Sequence, residues 1–524
     1  MVNVFGNHQL GIPYQPIADL FAKYKARDPG KTAIVDLDQK SSITFSDLDQ
    51  MTTDIAAFLK SKGIGKGHRV LLLADECLEK LLIWFGAWRI GAVICPLNIE
   101  INEKVMVDLA RAVNPALILC HKDLDMAALV GDHPAPRIRF GQWSAVGAAD
   151  PQDEFFCVIP RGRSTAELPE RNNPEDVSCI FCTSGTTAQP KIVVYDHAAY
   201  WLNGLSTLEF LGLGEDDRTL EYRSFGWNSA QVLSLMPFVE KGLTMHIAKR
   251  YSHSRFFEWV KSYGITFSAG VPTVLNLMLN KPLGYTSKDI PTLRLMTCST
   301  APLTAQQWMQ FEEMYGIKLL QLYGMSEAGW VCGNRYYKSR FGTVGVPALH
   351  QEVEIVDAQG KPVAVGVEGE ITAGGPQTAM GYLQDDGTIE PLRPKRIKTG
   401  DLGIQDAEGF IRISGRTKDL IIRGGMNIAP LEIDEVLLKH PGILDAAAVG
   451  VPDKIYGEEV VCYVVGKEPG LTEASVSQHC QQYLPLAKTP KQIFIVPDLP
   501  KNDRGKVLRE KLREDWANRS KLSA

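Results

Sequence analysis

Residues 182–191, CTSGTTAQPK, are the first stretch whose residue types and spacing could do chemistry. Glycine lacks a side chain, and serine and threonine hydroxyls compete for backbone hydrogen bonds, so the run predicts a loop. Such a loop offers hydroxyls and closely approaching backbone N–H groups to anionic oxygens, and Lys191 adds a positive charge. The segment is therefore a candidate phosphate cradle, and a plain solvent-exposed turn is the alternative.

The spacing of this loop differs from that of the common nucleotide-binding pattern GxxxxGK[ST]. Glutamine and proline precede Lys191, and isoleucine follows it. A kinase or GTPase of that class is therefore not expected. The formal net charge of -5 and the isoelectric point near 6.1 show no basic field of the kind that draws proteins to nucleic acid, so no nucleic-acid partner is expected.

Four further segments, read in order after this loop, carry a resemblance. They are YGMSEAG at 323–329, TGD at 399–401, GRTKDLIIRGGMNIAPLEIDEVL at 415–437 and LPKNDRGKVLREKL at 499–512. In content and order the five segments resemble the motifs of the adenylate-forming superfamily, and within it those of the acyl- and aryl-CoA synthetases. The resemblance spans almost the whole chain and departs from the usual pattern at Ala188, where members have glycine, and at Ile192.

The resemblance implies a two-step reaction that uses ATP, Mg²⁺ and coenzyme A. A carboxylate attacks the α-phosphorus of ATP to give an acyl-adenylate and pyrophosphate, and a thiol then displaces AMP. The first step brings two anions together, so it needs positive charge and a metal ion at the phosphate. By resemblance, Lys506 bridges the carboxylate and the α-phosphate, Glu327 holds Mg²⁺, a hard cation that takes a carboxylate, and Lys191 completes the catalytic set.

The residues implied to bind ATP and AMP follow from the same motifs. The loop hydroxyls and Lys191 meet the β- and γ-phosphates, TCSTAPL faces adenine with a tyrosine ring stacked on it, and TGD and GRTKD hold the ribose hydroxyls. A carboxylate is a natural bidentate acceptor for a diol. The full set is Thr183, Ser184, Gly185, Thr186, Thr187, Lys191, Ser299, Thr300, Ala301, Tyr323, Gly324, Met325, Ser326, Asp401, Arg416 and Lys506.

The acid is expected between residues 225–228 and the residues after Gly324. Acetate-specific relatives place a tryptophan where this chain has Gly324, which predicts an open floor and an acid larger than acetate. Trp227 and Trp330 fall at pocket-lining positions and favour an aromatic or branched apolar acid, because offset stacking adds about 0.5–1.5 kcal/mol beyond burial. Core packing is the alternative for Trp330. Arg223 could meet a second carboxylate, with a surface arginine as the alternative.

The thiol step, by resemblance, requires the small C-terminal domain to rotate about Lys418. Gly424, Gly425 and Met426 then line the thiol tunnel, where glycine lets a slim pantetheine arm pass close to the backbone. Arg250 falls near a position that meets the CoA phosphate in aryl-CoA ligases. These residues are the expected hinge and CoA site.

Hydrophobic patterning predicts the elements that position these residues. Short apolar runs such as RVLLLA alternate with helical patterns such as ECLEKLLIWFGAWRIGA, which is typical of parallel α/β sheets. Residues 340–415 carry β-branched residues broken by Gly and Pro, as in antiparallel hairpins. The predicted fold class is α/β: a large N-terminal domain (1–417) of parallel α/β sheets with a small β-barrel-like subdomain (about 340–415), and a smaller, mobile α+β C-terminal domain (418–524) that carries the catalytic lysine.

The remaining sequence signals bear on location and metal binding. Cys179 and Cys182 form CIFC, but no second CxxC or nearby His pair completes a zinc site, so buried thiols are predicted. The N-terminus lacks a basic segment followed by an apolar core, and no run of about 18 uncharged apolar residues occurs. A cytoplasmic protein without a membrane span is expected, as a monomer or homodimer.

Three functions compete at this point. The leading hypothesis is an AMP-forming acid–CoA ligase that acts on a small-molecule carboxylic acid. The alternative enzyme is a freestanding adenylation protein that loads an acid onto a carrier-protein thiol, since the chain carries no carrier domain of its own. A non-catalytic adenylate-binding protein is disfavoured, because Lys191, Glu327, Asp401 and Lys506 are all present.

Overall fold

The structure is a computed structural model that describes residues 14–143, 153–163, 168, 171–183, 191–301, 303–502 and 505–522. In this part of the chain, two large sheets, a small antiparallel sheet and a five-stranded C-terminal sheet carry the fold. Four predicted phosphate-loop residues, Ser184, Gly185, Thr186 and Thr187, lie outside the described residues, as does Ala188.

Two large sheets form the N-terminal region. Its strands are, in chain order, β1 (Thr32–Asp36), β2 (Ser41–Thr44), β3 (Arg69–Leu73), β4 (Val93–Pro96), β5 (Leu117–His121), β6 (Arg137–Phe140), β7 (Val177–Cys182), β8 (Ile192–Asp196), β9 (Arg218–Glu221), β10 (Thr244–Ile247), β11 (Phe267–Ser268), β12 (Leu295–Cys298), β13 (Lys318–Met325), β14 (Gly329–Gly333) and β15 (Val346–Pro347).

The helices of this region pack around and between the sheets. They are α1 (Ile17–Arg27), α2 (Phe45–Ser61), α3 (Leu78–Arg89), α4 (Glu103–Val113), α5 (Met126–Val130), α6 (His197–Leu211), α7 (Asn228–Ala230), a π-helix (Gln231–Leu235), α8 (Met236–Lys241), α9 (His253–Tyr263), α10 (Pro272–Asn280) and α11 (Ala305–Tyr315). Helix α6 ends at Gly212 with φ of 58°, a left-handed conformation that glycine adopts without steric cost.

The predicted parallel sheets are confirmed. The nine-stranded sheet has the order β15-β14-β13-β12-β11-β9-β10-β1-β2 and is parallel from β13 to β1. Antiparallel strands complete its edges. Parallel strands need crossover helices, which cover both faces and explain why their residues are apolar without alternation. Every residue of α3 is buried, and one core cluster joins α3 to strands of both large sheets.

The β-rich segment divides between two sheets. Its strands are β16 (Glu352–Val356), β17 (Glu368–Gly374), β18 (Gly381–Leu383), β19 (Ile389–Pro391), β20 (Ile397–Gln405) and β21 (Ile411–Arg416). The order β16-β17-β20-β21 forms an antiparallel sheet, as the hairpin pattern predicted, whereas β18 and β19 extend the second large sheet, β19-β18-β8-β7-β4-β3-β5-β6. The pairing of β18 with β8 brings Tyr382 opposite Val193, two residues after Lys191.

The C-terminal region has the predicted order of helix, strand, strand, helix and strand. After a 3₁₀ turn at Thr417–Asp419 come β22 (Ile421–Arg423), β23 (Met426–Ile428), α12 (Pro430–Leu437), β24 (Ile443–Asp453), β25 (Gly457–Gly466), α13 (Glu473–Tyr483), a 3₁₀ turn (Leu486–Lys488), β26 (Gln492–Ile495) and α14 (Arg509–Leu522). Two apolar clusters cover the two faces of its sheet, which supports an independent core. The domain boundary at residue 418 stays a prediction.

The cysteine motif is structural. Cys179 and Cys182 are buried in β7, and burial raises the pKa of the Cys179 thiol well above its usual range. A thiol of this kind is inert rather than metal-binding. Of the helices in the described ranges, none is long and apolar enough to cross a membrane.

Candidate active site

One cavity of about 310 Å³ gathers most of the predicted residues. Its walls come from residues at the ends of β7, β12 and β13, from β14, from α7 and the π-helix, from Arg416 at the end of β21, and from Asn502 and Lys506 just before α14. The lining residues are Thr183, Lys191, Asn228, Ser229, Val232, Ser299, Thr300, Gly324, Met325, Ser326, Glu327, Gly329, Trp330, Arg416, Asn502 and Lys506. The predicted phosphate, metal and catalytic residues that the structure describes therefore share one cavity.

The predicted adenine-facing segment begins directly after β12. The Ser299 and Thr300 hydroxyls are buried, and neither has a hydrogen-bond partner in the described chain. A buried hydroxyl without a partner costs about 1–3 kcal/mol. Thr300 also has φ of 77°, a left-handed conformation that is strained for a β-branched residue. Both features fit a segment shaped for a ligand; Ala301 follows it and lies outside the cavity lining.

The predicted ribose residues face each other across β20 and β21. Their register places Asp401 opposite Arg416, and Arg416 Nε lies 2.9 Å from Asp401 Oδ1. The Tyr323 hydroxyl donates to Asp401 Oδ2 at 2.6 Å. Burial and the nearby Asp401 charge raise the pKa of Tyr323 well above its usual range, so its proton stays in this bond. The Tyr323 hydroxyl therefore holds the carboxylate, and stacking of its ring on adenine stays a prediction.

Lys191 and Glu327 are connected through a residue that the motifs did not reveal, Tyr382. The Lys191 ammonium lies 4.4 Å from the centre of the Tyr382 ring, and the Tyr382 hydroxyl donates to Glu327 Oε1 at 3.0 Å. At the neck of the loop, Thr183 N–H donates to the Lys191 carbonyl at 2.8 Å. The strand pairing of β18 with β8 creates this contact, and Tyr382 lies far from both residues in the chain.

Glu327 has the chemistry that Mg²⁺ needs. It offers a carboxylate to the cavity, and in the described ranges no group of three His, Cys, Asp or Glu side chains could hold a metal ion by itself. Mg²⁺ is commonly bound by one or two carboxylates together with substrate phosphates, so the donor set fits an ion that is held jointly by Glu327 and ATP. The Tyr195 hydroxyl fixes this segment by donating to the Ser326 carbonyl at 3.0 Å.

Lys506 reaches the cavity from the C-terminal domain. Its backbone N–H donates to Asn502 Oδ1 at 2.9 Å, and Asn502 N–H donates to the Lys506 carbonyl at 2.9 Å, so these two residues hold each other. Gly505 has φ of 75° and lies so close to Thr273 that a methyl group there would overlap the Thr273 hydroxyl. Burial and the nearby Arg416 lower the pKa of Lys506 to about 8.

This pKa predicts a pH dependence of the ATP reaction. Only protonated Lys506 offers positive charge, so kcat/KM for ATP, which reports the free enzyme, should fall as pH rises through about 8. The Lys506→Arg variant keeps its charge at high pH and should lose this alkaline limb, although its rate is lower. The measurement is initial-rate kinetics from pH 6.5 to 9.5. An identical limb in the arginine variant would assign the titration to another group.

The acyl-site predictions need correction at three residues. Gly324 lines the cavity, but the space behind it is filled: a Cβ there would lie 2.6 Å from the Gly329 carbonyl and 3.0 Å from Trp330 Cε3. The expected open floor is therefore wrong, because Trp330 supplies an indole from the adjacent strand. Trp227 lines a second cavity instead, and Arg223 is 4% exposed and paired with Glu221, so it is neither a surface residue nor an uncompensated cation.

The second cavity, of about 450 Å³, adjoins the first through Asn502 and contains Arg250. Arg250 is half-exposed and bridges Asp75 at 2.9 Å and Glu100 at 3.0 Å. The other predicted CoA residues do not line either cavity: Gly424 and Gly425 form the turn of the β22–β23 hairpin, and Met426, the first residue of β23, is exposed. Lys418 lies in the 3₁₀ turn between the two regions.

Two family models and several curated proteins match most of this chain. The AMP-binding enzyme family model matches residues 21–383, and the model of the AMP-binding enzyme C-terminal domain matches residues 432–506. The sulfoacetate–CoA ligase of Cupriavidus necator is 31% identical over 515 residues, which cover 95% of this chain and 97% of that protein. The crotonobetaine/carnitine–CoA ligase of Salmonella paratyphi C is 28% identical over 494 residues, 90% of this chain and 93% of that protein.

A solved structure resembles the whole chain. The crystal structure of ATP-bound MatB from Rhodopseudomonas palustris matches with a TM-score of 0.84 and 26% sequence identity, over 95% of this chain and 99% of that chain. The N-terminal and C-terminal regions of this fold are therefore both shared with that structure. With the family models and the curated relatives, this likeness shows that the chain belongs to the AMP-binding enzyme family, in its branch of AMP-forming acyl- and aryl-CoA synthetases.

Proposed function

We propose that this enzyme uses ATP to adenylate a small-molecule carboxylic acid and then transfers the acyl group to the thiol of coenzyme A. One observation carries the proposal: Lys506 of the C-terminal region meets Lys191, Glu327 and Ser299 of the N-terminal region around one cavity. Lysines and carboxylates with purely surface or structural roles would not be expected to gather around one cavity. The strained backbone of Thr300 and its buried hydroxyl, which has no hydrogen-bond partner in the described chain, are a second indication of a ligand site.

Each residue has a distinct task in the first half-reaction. Lys506 neutralises the charge that builds up as the acid carboxylate attacks the α-phosphorus of ATP, and Lys191 holds the departing pyrophosphate. Asp401 accepts hydrogen bonds from the ribose hydroxyls. Mg²⁺, when bound beside Glu327 and the phosphates, withdraws electron density from the reacting phosphoryl group. Because Lys506 is half-buried, water screens its charge less than it screens the charge of an exposed lysine, so the charge acts more strongly.

The second half-reaction is proposed to use the second cavity and a different face of the C-terminal domain. That cavity leads away from the first beside Arg250 and Lys249, whose charges suit a CoA phosphate. To bind a CoA phosphate, Arg250 must give up its ion pairs with Asp75 and Glu100. The exposed turn at Gly425 reaches this region only after the domain rotates, for which Lys418 is the proposed hinge.

Coenzyme A is favoured over a carrier protein as the acceptor. The sulfoacetate–CoA and crotonobetaine/carnitine–CoA ligases are both named for transfer to CoA.

The size and polarity of the acid are separate matters. An aromatic or branched apolar acid was predicted from Gly324, Trp227 and Trp330, and two of these supports weaken, because the floor is filled and Trp227 lines the other cavity.

The test of the proposed function is ATP–pyrophosphate exchange with a panel of acids, which reports adenylation without assuming an acceptor. Exchange that depends on both an acid and Mg²⁺ is expected. Thioester formation is then compared with free CoA and with a phosphopantetheinylated carrier protein, and CoA should be the better acceptor. Binding of AMP without exchange for any acid would indicate a non-catalytic adenylate-binding protein.

The proposed rotation predicts a variant that separates the two half-reactions. Gly425→Leu places a branched side chain where the pantetheine arm should pass, so adenylation should stay near normal while thioester formation falls by roughly 10-fold or more. Gly425→Ala is the matched control, since both variants carry the same strain at φ of 83° and only leucine adds bulk. Pyrophosphate exchange and single-turnover thioester formation measure the two steps. Equal loss of both steps in the leucine variant would contradict the rotation.

A further inference from the structure

We infer that the acid accepted by this site is short and carries a hydrogen-bond-accepting oxygen at the end opposite its reacting carboxylate. The inference rests on the proposed function and concerns the part of the cavity that no nucleotide group uses. That part, which we call the acyl end, is formed by Asn228, Ser229, Val232, Gly329 and Trp330. Three features of these residues decide the length and the polarity of the ligand.

The first feature is the wall that Trp330 makes. Its indole is 2% exposed and lies directly behind Gly324, where any Cβ would come within 3.0 Å of the ring. A ligand therefore cannot extend past Gly324 along this path. Val232, 1% exposed on the π-helix, closes an adjacent side. The acyl end is short because an aromatic residue already occupies the volume that a long or aryl acid would need.

The second feature is that Trp330 is held in place. Its backbone N–H donates to Asn203 Oδ1 at 2.8 Å, and its indole Nε1–H donates to Thr207 Oγ1 at 2.8 Å. Gln377 Nε2 donates to its carbonyl oxygen. All three partners are fully buried. Swinging the indole aside would break its hydrogen bond to Thr207 and leave the buried indole N–H unpaired, so ligand binding does not open this wall cheaply.

The third feature is polar. Asn228 is 8% exposed, and its Nδ2 group, which carries two N–H donors, forms no hydrogen bond of ordinary geometry in the described chain, although its side chain interacts with the Tyr200 hydroxyl. Because the Tyr200 hydroxyl donates its proton to Gln231, it can only accept from Asn228, and one such contact leaves the second N–H for a ligand. A buried N–H donor that lines a cavity is satisfied by an acceptor on the ligand.

Ser229 strengthens this polarity. Arg223 Nη1 donates a weak hydrogen bond to Ser229 Oγ at 3.5 Å, so Ser229, which lines the cavity, keeps its own hydroxyl proton as a donor for a ligand. Behind it, Glu221 compensates the Arg223 charge, with Arg223 Nη2 2.7 Å from Glu221 Oε2. The acyl end thus presents two neutral donors. Hydroxyl, amide, carboxylate or sulfonate oxygens share the chemistry that these donors recognise, and a plain alkyl or phenyl tail lacks it.

The test compares acids of matched length in pyrophosphate exchange: propionate, 3-hydroxypropionate and malonate, with benzoate as the aryl acid. The two acids with an oxygen at the far end should exceed propionate by roughly 10- to 100-fold in kcat/KM, because a site built to bond an oxygen discriminates against its loss. The hydroxy acid and the diacid separate a neutral from an anionic acceptor. Benzoate should be the poorest of the four.

Two variants locate the discrimination. Asn228→Leu removes the donor at similar volume and should reduce the advantage of 3-hydroxypropionate over propionate by roughly 10-fold. Trp330→Ala should raise benzoate relative to the short acids, and Trp330→Phe, which is the smaller disturbance to the core, should do so partially. AMP binding by calorimetry checks that each variant keeps its nucleotide site. Lys491→Ala, which removes an exposed lysine outside both cavities, should keep the acid order of the unaltered enzyme.

The outcomes separate the inference from the function beneath it. If benzoate is preferred by the unaltered enzyme, or if propionate equals both oxygen-bearing acids, the inference is wrong while the adenylating activity stands. If AMP binds but no acid supports exchange, the proposed function is wrong and the inference falls with it. If Asn228→Leu keeps the full preference for an oxygen, Asn228 is not the donor and the polar end is wrongly placed.

Discussion

Replacing Lys506 with alanine should slow adenylate formation by roughly 10²- to 10³-fold, which is the usual scale for removing one electrostatic contact from a transition state. The loss follows from position: Lys506 lines the same cavity as Glu327 and Ser326 and is held there by Asn502. The variant should still convert a supplied acyl-adenylate and CoA to thioester. Pyrophosphate exchange measures the first step, and single-turnover thioester formation from the synthetic adenylate measures the second.

The control for this variant is Lys491→Ala. Lys491 is an exposed lysine of the same domain, paired with Asp453 at 3.0 Å and outside both cavities, so its removal should leave both half-reactions unchanged. A Lys506→Ala enzyme that loses both steps in the same proportion would show a general defect of folding or domain closure. A variant that keeps full exchange would remove Lys506 from the reaction.

Substituting Gly505 with alanine should impair adenylation by roughly 10- to 100-fold without touching the lysine next to it. A Cβ at this position overlaps the Thr273 hydroxyl at the start of α10, so the C-terminal domain could not deliver Lys506 to the cavity. Overpacking of this kind costs about 1–3 kcal/mol, or about tenfold in rate for each 1.4 kcal/mol. Thioester formation from supplied adenylate, which needs the domain in another orientation, should be affected much less.

A double variant isolates this contact from backbone strain. Gly505→Ala combined with Thr273→Ala removes the overlapping hydroxyl and should restore most of the lost exchange activity. Gly470→Ala carries a substitution at another left-handed glycine of the same domain, with φ of 119° and open space around it, and reports the cost of strain alone. If the double variant is no faster than Gly505→Ala, the contact with Thr273 does not limit closure.

The chemistry of the site was predictable from local sequence because its residues sit in short motifs. Ser326 and Glu327 directly follow β13, Asp401 and Arg416 face each other on the paired strands β20 and β21, and Lys506 directly follows Gly505. Each motif specifies a residue type and its place in the chain, so their order was enough to predict most of the residues that line one cavity, and their roles toward the nucleotide and the metal stay predictions. The alternation of apolar strands and amphipathic helices likewise predicted the parallel sheets.

Pairings between distant segments were beyond local sequence. Nothing near Tyr382 indicates that β18 joins β8 and puts its hydroxyl on Glu327. Local sequence likewise does not indicate that Asn203 and Thr207 of α6 form hydrogen bonds with Trp330 of β14. Tyrosine, asparagine and threonine are common in cores and on surfaces alike, and only their contacts give them a role.

By itself, then, the sequence determined the reaction class: the motifs name an adenylating site, and the apolar periodicity predicts the sheets that carry it. Tertiary structure decided the shape of the acyl end. Gly324 was expected to leave an open floor because a missing side chain looks like free space along the chain. In three dimensions that space belongs to Trp330 of the neighbouring strand, since close packing fills the volume beside a glycine from whichever segment lies nearest.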